Sequence, residues 1–168
     1  MRIQKNFNLF FIALVIFYSG ALSAQSNLPT TQIKSLDGKN VTLKDYIKDG
    51  KITVISFWAT WCAPCKKELD AINDLYEDWQ KIYGVELIAI STDDSRSSSK
   101  IKPMVEQKGW EYTILSDPNQ ELQKAFNFQA VPQTFLVDQS GKIVWTHSGY
   151  VPGDENELEE KIKELANK

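Results

Sequence analysis

The chain has 168 residues, of which 42% are hydrophobic and 24% are charged. This is the size of one globular domain that can bury a core without disulfide staples. The formal net charge is −3, and no run of Lys and Arg could follow a phosphate backbone, so nucleic acid is excluded as an expected partner.

The first 24 residues have the layout of a secretory signal peptide. Arg2 and Lys5 make a basic start, residues 9–18 form an apolar run, and small residues at 19–24 suit cleavage. The run is short for a membrane span, and an uncleaved anchor is the alternative. We expect residues 25–168 to form one domain in the periplasm or cell envelope, where disulfides persist.

The first half of this domain predicts a hairpin, a strand and a long helix. Residues 33–35 and 40–43 flank a turn at Asp37-Gly38, which favours a small hairpin, and residues 43–48 follow as a short helical segment. Residues 52–58 are β-branched and aromatic, as in a strand buried on both faces. Apolar residues then recur at helical spacing from Cys65 to a stop at Gly84.

The second half predicts further alternation of strands and helices. We expect a strand at 85–90, a polar loop at 91–99, a helix at 100–108 and a strand at 112–115. Asp117 and Pro118 have the pattern of a capping residue followed by a first-turn proline, which predicts a helix through residue 126. Strands at 133–137 and 142–146 form a second hairpin, and Asp154 with Glu157 predicts the cap of a last helix. The expected fold is an α/β sandwich around a central mixed β-sheet.

Both cysteines lie in Trp61-Cys62-Ala63-Pro64-Cys65, between the buried strand and the long helix. A thiol at a helix N-terminus faces unpaired N–H groups and the positive end of the helix dipole, which lower its pKa. This placement predicts that Cys62 attacks a substrate disulfide and that Cys65, which begins the apolar stripe, resolves the mixed disulfide. Pro64 lies in the first turn and stiffens the loop between the sulfurs.

Other interpretations of the cysteine pair fit less well. Haem attachment needs a His where Lys66 stands. A zinc site needs four ligands, and the chain offers two cysteines and one histidine, His147. A purely structural disulfide is the remaining alternative, although so small a ring constrains little chain entropy. We therefore expect no metal and no cofactor other than the redox-active disulfide.

Two segments of the sequence resemble a known family. Residues 54–68, around the cysteine motif, and residues 131–138 with Gly141 to Val144 resemble the TlpA-like thiol–disulfide oxidoreductases of bacterial cell envelopes, a branch of the thioredoxin fold. The resemblance implies a thioredoxin-like sandwich with an extra helix and strand between Ile90 and Pro132. It also implies a reductase of disulfide-bearing exported proteins, apocytochrome c among them, with a membrane-embedded thiol electron donor. We expect a monomer.

The resemblance also implies roles for individual residues. It implies that Pro132, after Val131, has a cis peptide bond and that the neighbouring backbone holds an extended peptide beside the disulfide; taken alone, Pro132 could be an edge-strand or turn proline. Trp61 is expected to shield the disulfide and contact substrate, although aromatic packing alone would explain it.

A departure from thioredoxin concerns proton transfer. Thioredoxin has a buried aspartate where this chain has Ser56, and Glu68 matches a glutamate of the family's cytochrome-maturation members. Glu68 is therefore expected to manage the proton of Cys65, with a solvated glutamate beside Lys66 and Lys67 as the alternative interpretation.

Three other functions stay open, namely an oxidase or isomerase on the same fold, a thiol peroxidase and a non-catalytic binding module. Peroxiredoxins use a Pro-x-x-x-Thr-x-x-Cys loop, and Trp58 stands where that proline should be. His147 is either a pH-sensitive group or a structural histidine without an acidic partner nearby in sequence. Asp93 and Asp94 are expected to be a solvated loop pair.

Overall fold

The computed structural model describes residues 28–167, so the predicted signal segment, residues 1–24, lies outside the described residues. The described part forms one sheet covered by helices on both faces. The strands are β1 (Gln32–Ser35), β2 (Asn40–Thr42), β3 (Thr53–Trp58), β4 (Glu86–Ser91), β5 (Thr113–Ser116), β6 (Gln133–Val137) and β7 (Ile143–Ser148). The helices are α1 (Ala63–Tyr83), α2 (Ile101–Lys108), α3 (Glu121–Ala125) and α4 (Asp154–Ala166).

The sheet is mixed, as predicted. Its strand order is β2-β1-β5-β4-β3-β6-β7. Strands β3, β4 and β5 run parallel, whereas β6, β7 and the β1–β2 hairpin pair antiparallel with their neighbours. Helix α2 and strand β5 are the extra helix and strand expected between Ile90 and Pro132, and β5 supplies the edge on which the N-terminal hairpin pairs.

Alternation along β3 divides the core into two layers. Val54 and Trp58 belong to the layer under α1, α2 and α4, whereas Ile55 and Phe57 belong to the layer under α3. Because side chains two apart share a face, Ser56 lies on the α1 side of the sheet. A polar side chain is therefore placed under the helix that carries both cysteines. Within residues 28–167, no helix is both long and apolar enough to cross a membrane.

Two of the predicted helices are shorter in the structure than expected. The segment at 43–48 is only a 3₁₀ turn at Leu43–Asp45. Helix α3 begins at Glu121 after Gln120, rather than at Pro118, and the Asp117 carboxylate caps it from outside by accepting the N–H groups of Glu121 and Gln123. The predicted N-cap, Asp117, does accept helix N–H groups, but the N-cap of α3 is Gln120, because a turn separates Asp117 from the first helical residue.

The predicted cap of the last helix is also wrong. Gly153 is the N-cap of α4, and Asp154 is the first helical residue. The Asp154 carboxylate accepts the N–H of Val151 at 2.8 Å and lies 3.0 Å from the His147 ring. Gly153 takes the position because its φ of 110° is one that side chains rarely adopt.

Candidate active site

The cysteine pair lies at the junction between β3 and α1. Cys62 is the N-cap of α1, and its Sγ accepts the Cys65 N–H at 3.3 Å. Pro64 lies in the first turn, as predicted, where it displaces no intrahelical hydrogen bond. Cys62 and Cys65 form a disulfide with a Cα–Cα distance of 5.4 Å. The sulfur of Cys62 thus lies at the positive end of the helix, where a thiolate is stabilised.

Exposure at the motif is uneven. Trp61 is 70% exposed, and Ala63 and Pro64 are also exposed, whereas Cys62 is 3% exposed and Cys65 is fully buried. The expected difference in accessibility between the sulfurs is therefore small in the disulfide form. Any substrate that reaches Cys62 has to come over the rim of the three exposed residues.

The loop before Cys62 is clamped by a buried carboxylate. Asp93 is 1% exposed, and its carboxylate accepts both the N–H and the hydroxyl of Thr60 at 2.7 Å. Ser91 donates a further hydrogen bond to Asp93, and Lys66 Nζ donates to the Thr60 carbonyl at 3.0 Å. The expectation of a solvated pair is wrong for Asp93, because β4 ends directly beside this loop and buries it. Asp94 is half-buried and caps a turn by accepting the N–H of Ser97.

Glu68 is buried beneath the cysteines. It is 4% exposed, so the interpretation as a solvated glutamate is wrong. Its Oε1 accepts the Thr134 hydroxyl at 2.6 Å, and its Oε2 accepts the Ser56 hydroxyl at 3.2 Å. Burial raises the pKa of Glu68 from 4.5 to about 7, although the hydrogen bonds from Thr134 and Ser56 act in the opposite direction. A carboxyl group with this pKa can accept and release a proton near neutral pH.

The Val131–Pro132 peptide bond is cis, as expected. Pro132 is buried, and its carbonyl accepts the Gly149 N–H at 2.9 Å. Val131 packs against the core layer that contains both cysteines. A groove of about 440 Å³ runs along Val131, Pro132 and Gly149. It leaves space beside this backbone for an extended segment of another chain.

His147 has an acidic partner that the sequence did not reveal. Its Nε2 lies 3.0 Å from Asp154 Oδ2, and its ring stacks on Trp145 with 5.4 Å between centroids. In the register of β6 and β7, His147 lies opposite Thr134, the residue that donates to Glu68. The histidine is therefore close to the buried carboxyl group of Glu68.

The sequence analysis did not recognise the structural role of Asp93 and did not single out Thr134. Both are polar residues at or beside strand ends, and the only sequence signal that could have found them is a polar residue within an otherwise apolar strand pattern. Among residues 28–167, no group of three or more His, Cys, Asp or Glu side chains is arranged to hold a metal ion.

A thioredoxin-like sheet with a disulfide at the start of α1 defines a class, the thiol–disulfide oxidoreductases. The comparisons with known proteins agree. A model of the AhpC/TSA family matches residues 24–146, well over half of the chain, and the chain therefore belongs to that family. It is similar to the thiol–disulfide oxidoreductase ResA of Bacillus cereus, with 29% identity over 96% of this chain and 98% of the relative.

Solved structures give the same result. An uncharacterized thioredoxin-like protein from Porphyromonas gingivalis is 44% identical, with a TM-score of 0.75 over 83% of this chain and 92% of that one. A putative thiol:disulfide interchange protein DsbE from Chlorobium tepidum is 26% identical, with a TM-score of 0.73 over 83% and 95%. The fold and the enzyme class predicted from sequence are confirmed, and the protein is a thiol–disulfide oxidoreductase.

Replacing Asp93 with Ala should destabilise the protein by about 2–3 kcal/mol, because the buried N–H and hydroxyl of Thr60 lose their acceptor. The measurement is urea unfolding of the oxidised protein. Asp94→Ala is the matched control, with an expected loss of only about 1 kcal/mol, because it removes a half-buried turn cap. Equal losses in the two variants would show that the Asp93 clamp does not hold the loop.

Proposed function

We propose that this protein is exported and reduces disulfides in exported proteins, apocytochrome c among them, with electrons from a membrane-embedded thiol donor. The observation that carries the proposal is the Cys62–Cys65 pair at the start of α1 above the buried carboxyl group of Glu68. The signal-like layout of residues 1–24 supports export, and the resemblance to TlpA-like proteins supports the direction and the substrates.

The reaction proceeds by two thiol–disulfide exchanges. The Cys62 thiolate attacks one sulfur of the substrate disulfide, so that a Cys62–substrate disulfide forms and a substrate thiolate leaves. Cys65 then loses its proton to the Glu68 carboxylate and attacks Cys62 Sγ. The second substrate thiolate leaves, the Cys62–Cys65 disulfide forms, and two electrons have passed to the substrate.

We assign the proton to Glu68 because its carboxyl group is buried and lies one helical turn after Cys65 on α1. Cys65 is fully buried, and burial disfavours its thiolate, so its proton needs a nearby acceptor. Ser56, at the position of thioredoxin's aspartate, cannot accept it, but its hydroxyl is bonded to the Glu68 carboxyl. The carboxyl group thus reaches from helix α1 to the place that an aspartate on β3 would occupy.

Substrate binding involves the rim and the groove. Trp61 and Pro64 form the exposed side of the disulfide, and Val131 and Pro132 begin the groove of about 440 Å³. An extended peptide can pair with the backbone there by strand-like hydrogen bonds. Such recognition depends little on side-chain identity, which suits an enzyme with several protein substrates.

The roles of the two cysteines predict opposite trapping behaviour. Cys65→Ser should accumulate mixed disulfides with exported proteins, because the attack by Cys62 still occurs and its resolution does not. Cys62→Ser should accumulate none, and the double variant is the background control. The measurement is isolation of the trapped proteins under non-reducing conditions. Trapping by Cys62→Ser instead would reverse the assignment, and no trapping by either variant would contradict the proposed function.

Glu68→Gln should slow the resolution of a mixed disulfide and lower the pKa of Cys65, because both the proton acceptor and a repelling carboxylate are lost. The measurements are the resolution rate and the alkylation rate of each cysteine against pH. Glu77→Gln, at an exposed position of the same helix, is the matched control. Superimposable profiles for Glu68→Gln and parent would make Glu68 a structural residue.

Glu68→Gln also tests whether burial of the Glu68 carboxyl group makes the stability of the protein depend on pH. The folded protein holds the Glu68 proton more tightly than the unfolded chain does, so the contribution of this group to stability is full below pH 4.5 and is lost as pH rises to about 7. The fall contributed by this group is about 3 kcal/mol. Glu68→Gln should remove it, which urea unfolding of the oxidised protein at several pH values would measure.

The direction of electron flow predicts the reduction potential. Equilibration with a dithiol or glutathione buffer should give a value near the thioredoxin end of the superfamily, about −270 mV, rather than the value of about −120 mV typical of a strong oxidant. A value near −120 mV would make the protein an oxidase. Turnover that depends on peroxide would make it a peroxidase, and both outcomes contradict reduction of protein disulfides.

A further inference from the structure

A small cavity lies on the side of Glu68 that faces β7 and α4. Its volume is about 10 Å³. The apolar side chains of Ile72, Trp145 and Leu158 line it together with the polar groups of Glu68, Thr134, His147, Tyr150, Asp154 and Glu155. A space of roughly 10–15 Å³ holds one water molecule when two to four polar partners surround it. The cavity therefore has the size for one water molecule. Its polar groups can hydrogen-bond that water between Glu68 and the side chains of β7 and α4.

The polar groups around this cavity run from the interior toward solvent. Glu68 is 4% exposed, whereas the side chains of His147 and Asp154 are 25% and 20% exposed. Thr134 donates to Glu68 and lies opposite His147 in the sheet, and cross-strand neighbours have Cβ atoms about 5 Å apart. His147 in turn is 3.0 Å from Asp154. Together, Thr134, His147 and Asp154 connect the buried carboxyl group of Glu68 with the protein surface.

We propose that His147, held by Asp154, is the outer group of a proton path that carries the proton of Glu68 to and from solvent. The proposal rests on the role of Glu68 given above. When Cys65 Sγ transfers its proton to the Glu68 carboxylate, the substrate disulfide is reduced and the Cys62–Cys65 pair oxidised. The carboxylic acid then passes that proton across the cavity to the His147–Asp154 pair, which releases it to solvent. In the reverse half of the cycle, re-reduction of the pair returns one proton along the same path.

The other groups that face Glu68 do not titrate in the working range. From the segment before β5, Tyr112 has its pKa raised by burial and by the carboxyl groups of Asp70 and Glu68. Near α4, burial and the hydrogen bond to Glu155 raise the pKa of Tyr150. Although burial opposes it, hydrogen bonds from the backbone and Tyr150 hold the pKa of Glu155 below its usual value.

Among the groups around Glu68, His147 is the one that can carry the proton. Strands β3 and β6 present only the hydroxyl groups of Ser56 and Thr134 to the carboxyl. His147 lowers the pKa of Glu68 and Asp154 raises it, so both are electrically coupled to the carboxyl group. Imidazole is the side chain that both accepts and releases a proton near neutral pH.

The proposal is tested first by replacing the histidine. His147→Ala should slow the resolution of a mixed disulfide about tenfold in dilute buffer, less than the roughly 10²–10⁴-fold effect of a direct proton-transfer group. The alkylation rate of Cys62 should stay at the parent value. Added imidazole should restore the rate, whereas pyrazole, an azole of similar size and far weaker basicity, should not.

Matched variants separate a proton path from a structural role. Thr146→Ala, an exposed neighbour on the same strand, should leave the resolution rate unchanged. His147→Gln fills the site without carrying a proton and should be as slow as His147→Ala, which keeps the test valid if the alanine variant fails to fold. Parent-like resolution in His147→Gln, or equal effects of imidazole and pyrazole, would overturn the proposal.

The single histidine of the chain allows a second, equilibrium test. Its ring signals in the NMR spectrum report only His147, so no assignment by mutation is required. At neutral pH the chemical shifts of the ring should differ between Glu68→Gln and parent, because the carboxyl group electrically coupled to His147 is gone. Identical shifts would show that the two groups are not coupled. If Glu68→Gln slows resolution while the His147 variants do not, the path is wrong and the proposed function stands.

Discussion

The burial of the Glu68 carboxyl group is the constraint on which this active site depends. A carboxyl group inside an apolar layer is tolerated only when hydrogen bonds replace the water it has lost. Thr134 and Ser56 provide them from β6 and β3, and these two residues lie opposite each other in the sheet. The same contacts tie helix α1 to the two strands beneath it. Burial raises the pKa of Glu68 to about 7. The carboxyl group that ties α1 to the sheet can therefore also exchange a proton near neutral pH.

The sulfurs are positioned by a different set of contacts. Cys62 begins α1, and the loop before it is held by Asp93 at the end of β4 and by Lys66 in the first turn of α1. Thr92 also donates its N–H to the Trp58 carbonyl, which joins the ends of β3 and β4. Geometry and proton transfer therefore depend on separate residues. A change at Asp93 is expected to alter where the sulfurs lie, whereas in the proposed mechanism a change at Glu68 alters the protonation of Cys65.

The class of the enzyme follows from the fold, but the direction of its reaction depends on finer energetics. Exchange between a dithiol and a disulfide is reversible, and its equilibrium follows the relative stability of the thiolate and the disulfide. In the proposed function the exposed rim of Trp61 and Pro64 and the groove at Pro132 serve substrates in either direction. In the proposed mechanism the helix N-terminus at Cys62 and the carboxyl group of Glu68 act on the thiol side of that equilibrium, so the reduction potential is expected to depend on them.

The sequence by itself determined the local features. Residues 52–58 formed β3 because a continuous β-branched run favours a doubly buried strand, and α1 ended at Gly84 because a left-handed residue there favours glycine. The position of Cys62 at the start of α1 followed from these two elements. The mixed sheet and the added α2 and β5 were likewise predictable from the order of elements and the family resemblance.

Only the tertiary structure decided what stands opposite each polar side chain. Glu68 and Thr134 are 66 residues apart, and Thr60 and Asp93 are 33 apart, so no local pattern relates them. Even the contact between His147 and Asp154, only seven residues apart, depends on the turn at Gly153, which moves Asp154 from the predicted cap toward β7. Periodicity tells which face of a helix or strand is buried. It does not tell which hydrogen-bond partners a carboxyl group on that face will have, because they come from the strand that packs against it. Strand pairing is a property of the whole fold.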